Sequence, residues 1–215
     1  MRDWTEDQIM LVLIRHGETR ANKERRYLGK TDEPLSEEGI EKLEAYKRQK
    51  RYPDVEDLFS SPMKRCVDSA KIIYPMLCPV RIPAWKEMDF GQFEYRNYEE
   101  LKTNMFYQEY IDSGGALPFP GGESREAFIR RCKNGFFCMC GELRETAGRR
   151  HSRPPAVGMV VHGGTIMALL SAYAGGAYFD YQASNGGGYI CRLTGVNAGK
   201  NVQEDKIKIE VVAKL

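Results

Sequence analysis

Histidine is scarce in this chain, with three in 215 residues, so imidazole chemistry falls to His16, His151 or His162. An excess of charge of one sign is also lacking: 32 Lys and Arg stand against 30 Asp and Glu, for a net charge of +2. That balance gives no global pull toward nucleic acid or a membrane surface, so an anion site has to come from a local cluster. Long apolar runs are missing. Met1 to Met10 is polar and acidic, and the apolar run after it is too short for a signal segment or a membrane span. The six cysteines (Cys66, Cys78, Cys132, Cys138, Cys140 and Cys191) show no CxxC spacing and no neighbouring His. That excludes the usual zinc patterns and predicts reduced thiols in a cytoplasmic protein. The Gly-rich turns lack the spacing of a dinucleotide or P-loop fingerprint, and no Asp cluster of the magnesium type is evident. No cofactor and no metal are therefore expected.

The chain is long enough for an α/β domain with a real core. Its most informative stretch is Leu11-Val12-Leu13-Ile14-Arg15-His16-Gly17-Glu18-Thr19. Four apolar residues run straight into Arg-His-Gly, the pattern of a strand buried on both faces in a parallel sheet. Ligands of open α/β sheets gather where the carboxyl ends of such strands open outward. Arg15 offers a permanently charged fork for phosphate or carboxylate, and His16 a nitrogen able to act near neutral pH. Gly17 permits a turn and a close backbone approach. Taken alone, the stretch is equally a strand end with a solvated Arg and a hydrogen-bonded His.

The same logic recurs at Ala156 to Thr165: an apolar strand, then His162, Gly163 and Gly164, then a helix with a stripe of Ile166, Leu169, Leu170 and Tyr173. A helix N-terminus behind a His-Gly-Gly turn is a natural anion site. Between these stretches, Asp57 to Ser60 reads as a strand, and Ser61-Pro62 as the cap and first residue of a helix that carries Arg65 in its first turn. Ser36 caps a helix with Ile40 and Leu43 on its inner face. Val80 to Ile82 is a further strand. Tyr98 to Tyr110 is irregularly helical, and Arg125 to Glu145 is a long helix with Phe128, Cys132, Phe136, Met139 and Leu143 on its buried face. Tyr189 to Thr194 and Ile207 to Val212 pair as a closing edge. Trp85 to Gly91 places Glu87 in a loop bounded by aromatics, where burial could raise a carboxyl pKa; a plain turn is the alternative. The basic segment Arg20 to Lys30 is either solvated surface or the lip of an anion site. His151 is expected to be exposed and without a role.

Two histidines and two arginines at strand ends suit a phosphoryl group, whose charge spreads over three equatorial oxygens in the transition state. These residues resemble the histidine phosphatase, or phosphoglycerate mutase-like, superfamily. The likeness spans about Leu11 to Asn185 and rests on Arg15 to Thr19 with Asn22, on Ser60 to Arg65, on Trp85 to Gly91, and on Val161 to Gly164. It implies a three-layer α/β/α fold, mostly parallel, with helices on both faces. It also implies one domain over residues 1–215, with a helical and loop cover at about 94–122. His16 would become a phosphohistidine. Arg15, Arg65 and His162 would clamp the phosphoryl oxygens, helped by Asn22, Gly17 and Gly163. Glu87 would serve as acid and then base. His16 must keep one nitrogen unprotonated, so the other is expected to donate to a backbone carbonyl.

Within the family, Tyr27 to Ser36 and Pro120 to Ser124 resemble the small phosphatases of the alpha-ribazole phosphatase type. A Gly usually follows Phe93-Glu94, and Tyr95 stands there instead, so Tyr95 is expected to shape the pocket. Arg25, Arg26, Arg96 and Tyr107 are further candidates for leaving-group contacts. The implied activity is metal-independent hydrolysis of a small phosphorylated metabolite, with phosphoglycerate mutase activity and non-catalytic phospho-ligand binding as alternatives. No nucleic-acid or membrane partner is expected.

Overall fold

A computed structural model describes residues 8–147, 155–196 and 202–215. In chain order its elements are β1 (Ile9–Arg15), α1 (Arg20–Lys23), α2 (Glu37–Arg48), β2 (Asp57–Ser60), α3 (Lys64–Ile73), β3 (Val80–Arg81), α4 (Tyr98–Leu101) and α5 (Met105–Asp112). Then follow α6 (Arg125–Ala147), β4 (Ala156–Val161), α7 (Gly163–Tyr173), β5 (Gly188–Thr194) and β6 (Lys208–Lys214). The strands form one sheet in the order β3-β2-β4-β1-β5-β6. β3, β2, β4 and β1 run parallel, while β5 and β6 extend the sheet antiparallel.

The apolar run of β1 is buried on both faces because successive side chains enter different cores. Leu11 and Leu13 pack in a cluster with Phe128, Phe136 and Met139 of α6 and Ile166 and Leu169 of α7. Val12 and Ile14 pack in a second cluster with Leu43 of α2 and Cys66, Ala70 and Ile73 of α3. This is the three-layer α/β/α arrangement with helices on both faces. The α6 stripe Phe128, Cys132, Phe136, Met139 and Leu143 is buried as its spacing predicts. β5 and β6 form the closing edge, and Lys208 and Lys214 at the ends of β6 blunt it against further pairing.

Two local expectations shift. Ser36 caps α2 through Oγ, which accepts from the Gly39 N–H at 3.0 Å, but Ile40 faces outward and only Leu43 is fully buried. The helix after β2 begins at Lys64 rather than at Pro62, with Met63 at the N-cap position and no side chain of its own segment capping it. Asp32 takes that role from a distant loop, accepting from the Lys64 N–H at 2.9 and 3.1 Å. Ser61 Oγ accepts from the Met63 N–H at 3.3 Å and has room for a second partner. All six cysteines are free thiols. Among the described residues no helix is long and apolar enough to cross a membrane. His151 lies outside the described residues.

Candidate active site

The sheet register assembles the site. β1 and β4 are parallel neighbours that pair Arg15 with Val161, so the next residue of each strand is a histidine. His16 and His162 therefore leave the sheet side by side, with ring centroids 5.3 Å apart and edge-on. On the other side of β4, Ser60 of β2 pairs with Val160, so Ser61 emerges beside His162. The hydroxyl of Ser61 is 2.8 Å from Nε2 of His162 and fixes that ring. One turn later, α3 delivers Arg65, which is fully buried.

The His16 ring is oriented by its own neighbour. Nδ1 lies 2.7 Å from the Gly17 carbonyl. A carbonyl only accepts, so Nδ1 carries the proton and Nε2 keeps the lone pair. The Gly17 N–H in turn donates to Oγ of Ser69 at 2.9 Å, and Asn185 Nδ2 donates to the carbonyls of His16 and Gly17 at 3.2 and 3.3 Å. Both imidazoles are held well below the usual histidine range, first by burial and then by the Arg65 charge, with Arg15 adding to each. They are neutral at physiological pH, as a nitrogen nucleophile requires.

The guanidiniums are aimed with equal care. Arg65 donates from Nη1 to the Thr31 carbonyl at 2.8 Å and from Nη2 to the Gly29 carbonyl at 2.9 Å. The 29–31 segment is itself held by Glu94, whose Oε1 accepts from the Gly29 and Thr31 N–H groups at 2.9 Å each. Arg15 donates from Nη1 to the Ala183 carbonyl at 2.8 Å. The Nε atoms of Arg15 and Arg65 are buried with no protein partner. Unsatisfied buried donors are uncommon in native proteins, and two beside one pair of histidines mark a place for an anion.

Glu87 completes the group. Its Oε1 accepts from the Met88 N–H at 2.9 Å. Burial raises its pKa above the ordinary carboxyl range, against the opposing pull of the Met88 N–H, of Arg65 and Arg15, and of the Gly164 N–H. A methyl group at 164 would come within 2.5 Å of Oε1 of Glu87, so the glycine there lets the carboxyl take this position. The Glu87 loop is pinned to α6 at two points. Trp85 donates from Nε1 to the Cys132 carbonyl at 3.2 Å. Arg131 donates to the carbonyls of Ala84, Lys86 and Glu87 at 2.8, 2.6 and 3.0 Å, and pairs with both oxygens of Glu123 at 2.8 and 2.7 Å.

Two cavities meet at Arg15. The larger, of about 550 Å³, has Arg15, Glu87, Gly163 and Gly164 at its base and aromatic walls above. The smaller, of about 360 Å³, is polar and is lined by Arg15, Asn22, Arg25, Arg26, Tyr27, Tyr98, Tyr107 and Asn185. Thus Arg15, His16, Arg65, Glu87, His162 and Gly163 converge on one place, with Gly17 orienting His16 and Asn22 at the edge. The Oδ1 of Asn22 accepts from Asn185 Nδ2 at 3.0 Å.

Tyr95 is not brought there. It lines neither cavity, is 38% exposed, donates to Glu33 Oε1 at 3.1 Å and lies beneath the Arg26 guanidinium. Arg26 is occupied by Glu24 and Glu100, and Arg96 lines neither cavity. Tyr107 is buried, with its hydroxyl 3.1 Å from that of Tyr27. Lys30 pairs with Asp89 at 3.1 Å.

Ser69, Arg131 and Asn185 act on the site without a distinguishing motif of their own, while Ser61 reads in sequence as a helix cap and Glu94 only as the neighbour of Tyr95. Glu123 lies in the Pro120 to Ser124 stretch, which signals a turn and not a partner for Arg131. Among the described residues no group of three or more His, Cys, Asp or Glu is arranged to hold a metal ion.

Comparison with known proteins bears on the family and the fold. A protein named probable phosphoglycerate mutase from Yersinia pestis (strain Pestoides F) is 30% identical over 171 residues, which cover 78% of this chain and 75% of that protein. The alpha-ribazole phosphatase of Shigella flexneri superposes with a TM-score of 0.73 at 21% identity, covering 95% of this chain and 96% of that one. The phosphoserine phosphatase of Entamoeba histolytica, solved as a mutant with phosphoserine, superposes equally well, at 21% identity and 96% coverage of both chains. These likenesses establish a phosphoglycerate mutase-like α/β fold. The sequence model of the histidine phosphatase superfamily (branch 1) matches residues 11–197, and this chain belongs to that superfamily.

Proposed function

We propose that this protein hydrolyses phosphate monoesters in two steps through a phosphohistidine at His16. The observation that carries the reading is the lone-pair nitrogen of His16, neutral and beside His162, Arg15 and Arg65, facing a site that also holds the protonatable carboxyl of Glu87. In the first step Nε2 of His16 attacks phosphorus, the bond from phosphorus to the ester oxygen breaks, and Glu87 gives its proton to that oxygen. In the second step Glu87, now a carboxylate, takes a proton from water as the water oxygen attacks phosphorus. The P–N bond breaks, and inorganic phosphate and neutral His16 result. Arg15, Arg65, His162, Asn22 and the Gly163 N–H hold the three non-bridging oxygens, the two arginines supplying positive charge without a metal. The segment 94–122 acts as the cover: its Tyr110, Leu117 and Phe119 wall the larger cavity.

The substrate is a small phosphorylated metabolite, and the resemblance of segments 27–36 and 120–124 favours the alpha-ribazole phosphatase type. Six free thiols suit a cytoplasmic setting. The relative named as a phosphoglycerate mutase favours a second reading, mutase activity through the same phosphohistidine. The test is hydrolysis of a panel of phosphate esters by wild type and His16→Ala, with and without chelator, beside a bisphosphoglycerate-primed mutase assay. Phosphate release that needs His16 and survives chelation supports the phosphatase. Interconversion of phosphoglycerates with little free phosphate selects the mutase. Equal rates for wild type and His16→Ala leave only a binding protein.

A further inference from the structure

Above its catalytic base, the larger cavity is walled by rings and aliphatic side chains. Tyr27, Phe90 and Phe119 form one edge-to-face group, with ring centroids 5.0 to 6.2 Å apart. Leu117, Met167 and Phe179 close the other sides. The carboxyl of Glu87 lines the same cavity, so an ester oxygen placed to receive its proton leaves the rest of the alcohol among these walls.

The cation at the far side has one nitrogen engaged. Arg125 donates from Nη2 to the carbonyls of Gly114, at 2.8 Å, and Gly115. Its guanidinium lies 5.3 Å from the Tyr178 ring centre and 4.9 Å from that of Phe179. Arg125 thus ties the start of α6, the 113–117 loop and the 178–181 turn into one wall. Among the described residues, the charged groups lining this cavity besides Arg125 are Arg15 and Glu87, both of which serve the phosphoryl group. A leaving group with its own carboxylate or second phosphate would meet carbonyls, rings, Glu87 and one cation, Arg125, whose Nη2 is already taken by two carbonyls.

We propose, resting on the hydrolytic reading above, that the substrate's alcohol carries a flat ring system and that Leu117, Phe119, Met167 and Phe179 select it. A volume of about 550 Å³ admits a fused bicyclic ring. Aromatic walls reward flat groups by burial and by edge or face contact. A three-carbon phosphoglycerate would leave most of this surface uncovered.

The test uses two primary-alcohol esters, so that leaving-group chemistry is similar: 1-naphthylmethyl phosphate and glycerol phosphate. For wild type, kcat/KM for the naphthyl ester is expected to exceed that for glycerol phosphate by about a hundredfold. In Leu117→Ala and Phe179→Ala, whose side chains are 46% and 48% exposed and so tolerate truncation, the ratio is expected to fall about tenfold each. Binding of both esters to His16→Ala is measured by calorimetry as a readout free of turnover. Tighter binding of the naphthyl ester by tenfold or more supports the ring-bearing class even if wild type hydrolyses neither, an outcome that overturns only the hydrolytic reading. Hydrolysis of both esters at a ratio of one or below, or equal binding to His16→Ala, overturns the proposal and leaves the hydrolytic reading standing.

Discussion

Nη2 of Arg131 donates to the backbone carbonyl of Glu87 at 3.0 Å, although the two residues are 44 positions apart. The same guanidinium holds the Ala84 and Lys86 carbonyls and is itself held by Glu123. It touches no reacting atom, so its contribution is to place the acid. Arg131→Ala is expected to lower kcat by 10- to 100-fold while KM changes little, because a carboxyl displaced by about 1 Å loses its proton-transfer geometry. It should also cost about 1–3 kcal/mol of stability, since three carbonyls lose their donor. Steady-state kinetics with a denaturant titration checks both. A stability loss with unchanged kcat would reduce Arg131 to a structural tie.

The pH profile follows from two opposite shifts. His16 is the nucleophile only when neutral, and its pKa lies well below the ordinary value of about 6.5. Glu87 is the acid only when protonated, and its pKa is raised by burial. For the free enzyme, kcat/KM should therefore fall on the acid side as His16 takes a proton, and on the basic side as Glu87 loses one. Glu87→Gln is expected to remove the basic limb and to lower the maximum by 10²- to 10⁴-fold. A basic limb that persists in Glu87→Gln would assign it to another group.

Two buried neutral imidazoles also tie folding to pH. The unfolded chain binds protons at His16 and His162 below about pH 6.5, whereas the folded chain resists until the lowered pKa is reached. Stability should thus decline as pH falls below about 6.5 and level off below the folded values. His162→Gln is expected to flatten part of that decline in urea titrations between pH 7 and pH 5. An unchanged slope would mean that His162 does not titrate on unfolding.

Tyr95 occupies a left-handed backbone conformation, with φ of +60°. A side chain there costs about 1–2 kcal/mol relative to glycine. Tyr95→Gly and Tyr95→Ala both lose the Glu33 hydrogen bond and the Arg26 contact, but only the alanine keeps the strain. The glycine variant is expected to be more stable than the alanine variant by about 1 kcal/mol in urea titration. Equal midpoints would show that the loop relaxes around Ala.

The layered fold was legible because its strands and long helices have one-sided chemistry: β1 and β4 read as doubly buried runs, and the α6 stripe repeats at helical spacing. The catalytic group was legible because each histidine immediately follows such a run, and parallel register then makes neighbours of distant residues. The residues that hold it were not. Ser61 looks like a helix cap in sequence, but Asp32, a distant residue, caps α3, and Ser61 Oγ serves both the Met63 N–H and His162. Arg131 reads as one more charge on a helix, since its targets are backbone carbonyls that no side-chain pattern encodes. Tyr95 drew notice as a departure from glycine near the acid loop. Its consequence is backbone strain at a position that lines neither cavity.

The most direct measurement is a rapid-quench reaction of Glu87→Gln with ³²P-labelled 2,4-dinitrophenyl phosphate, whose leaving group needs no proton so that the first step is spared, followed by mapping of the label. Without its carboxylate base the second step should slow, so labelled protein is expected to build toward one phosphate per chain on His16, in an acid-labile and base-stable form. Release of labelled phosphate with no labelled protein at any time, or label on a residue other than His16, would contradict the phosphohistidine account.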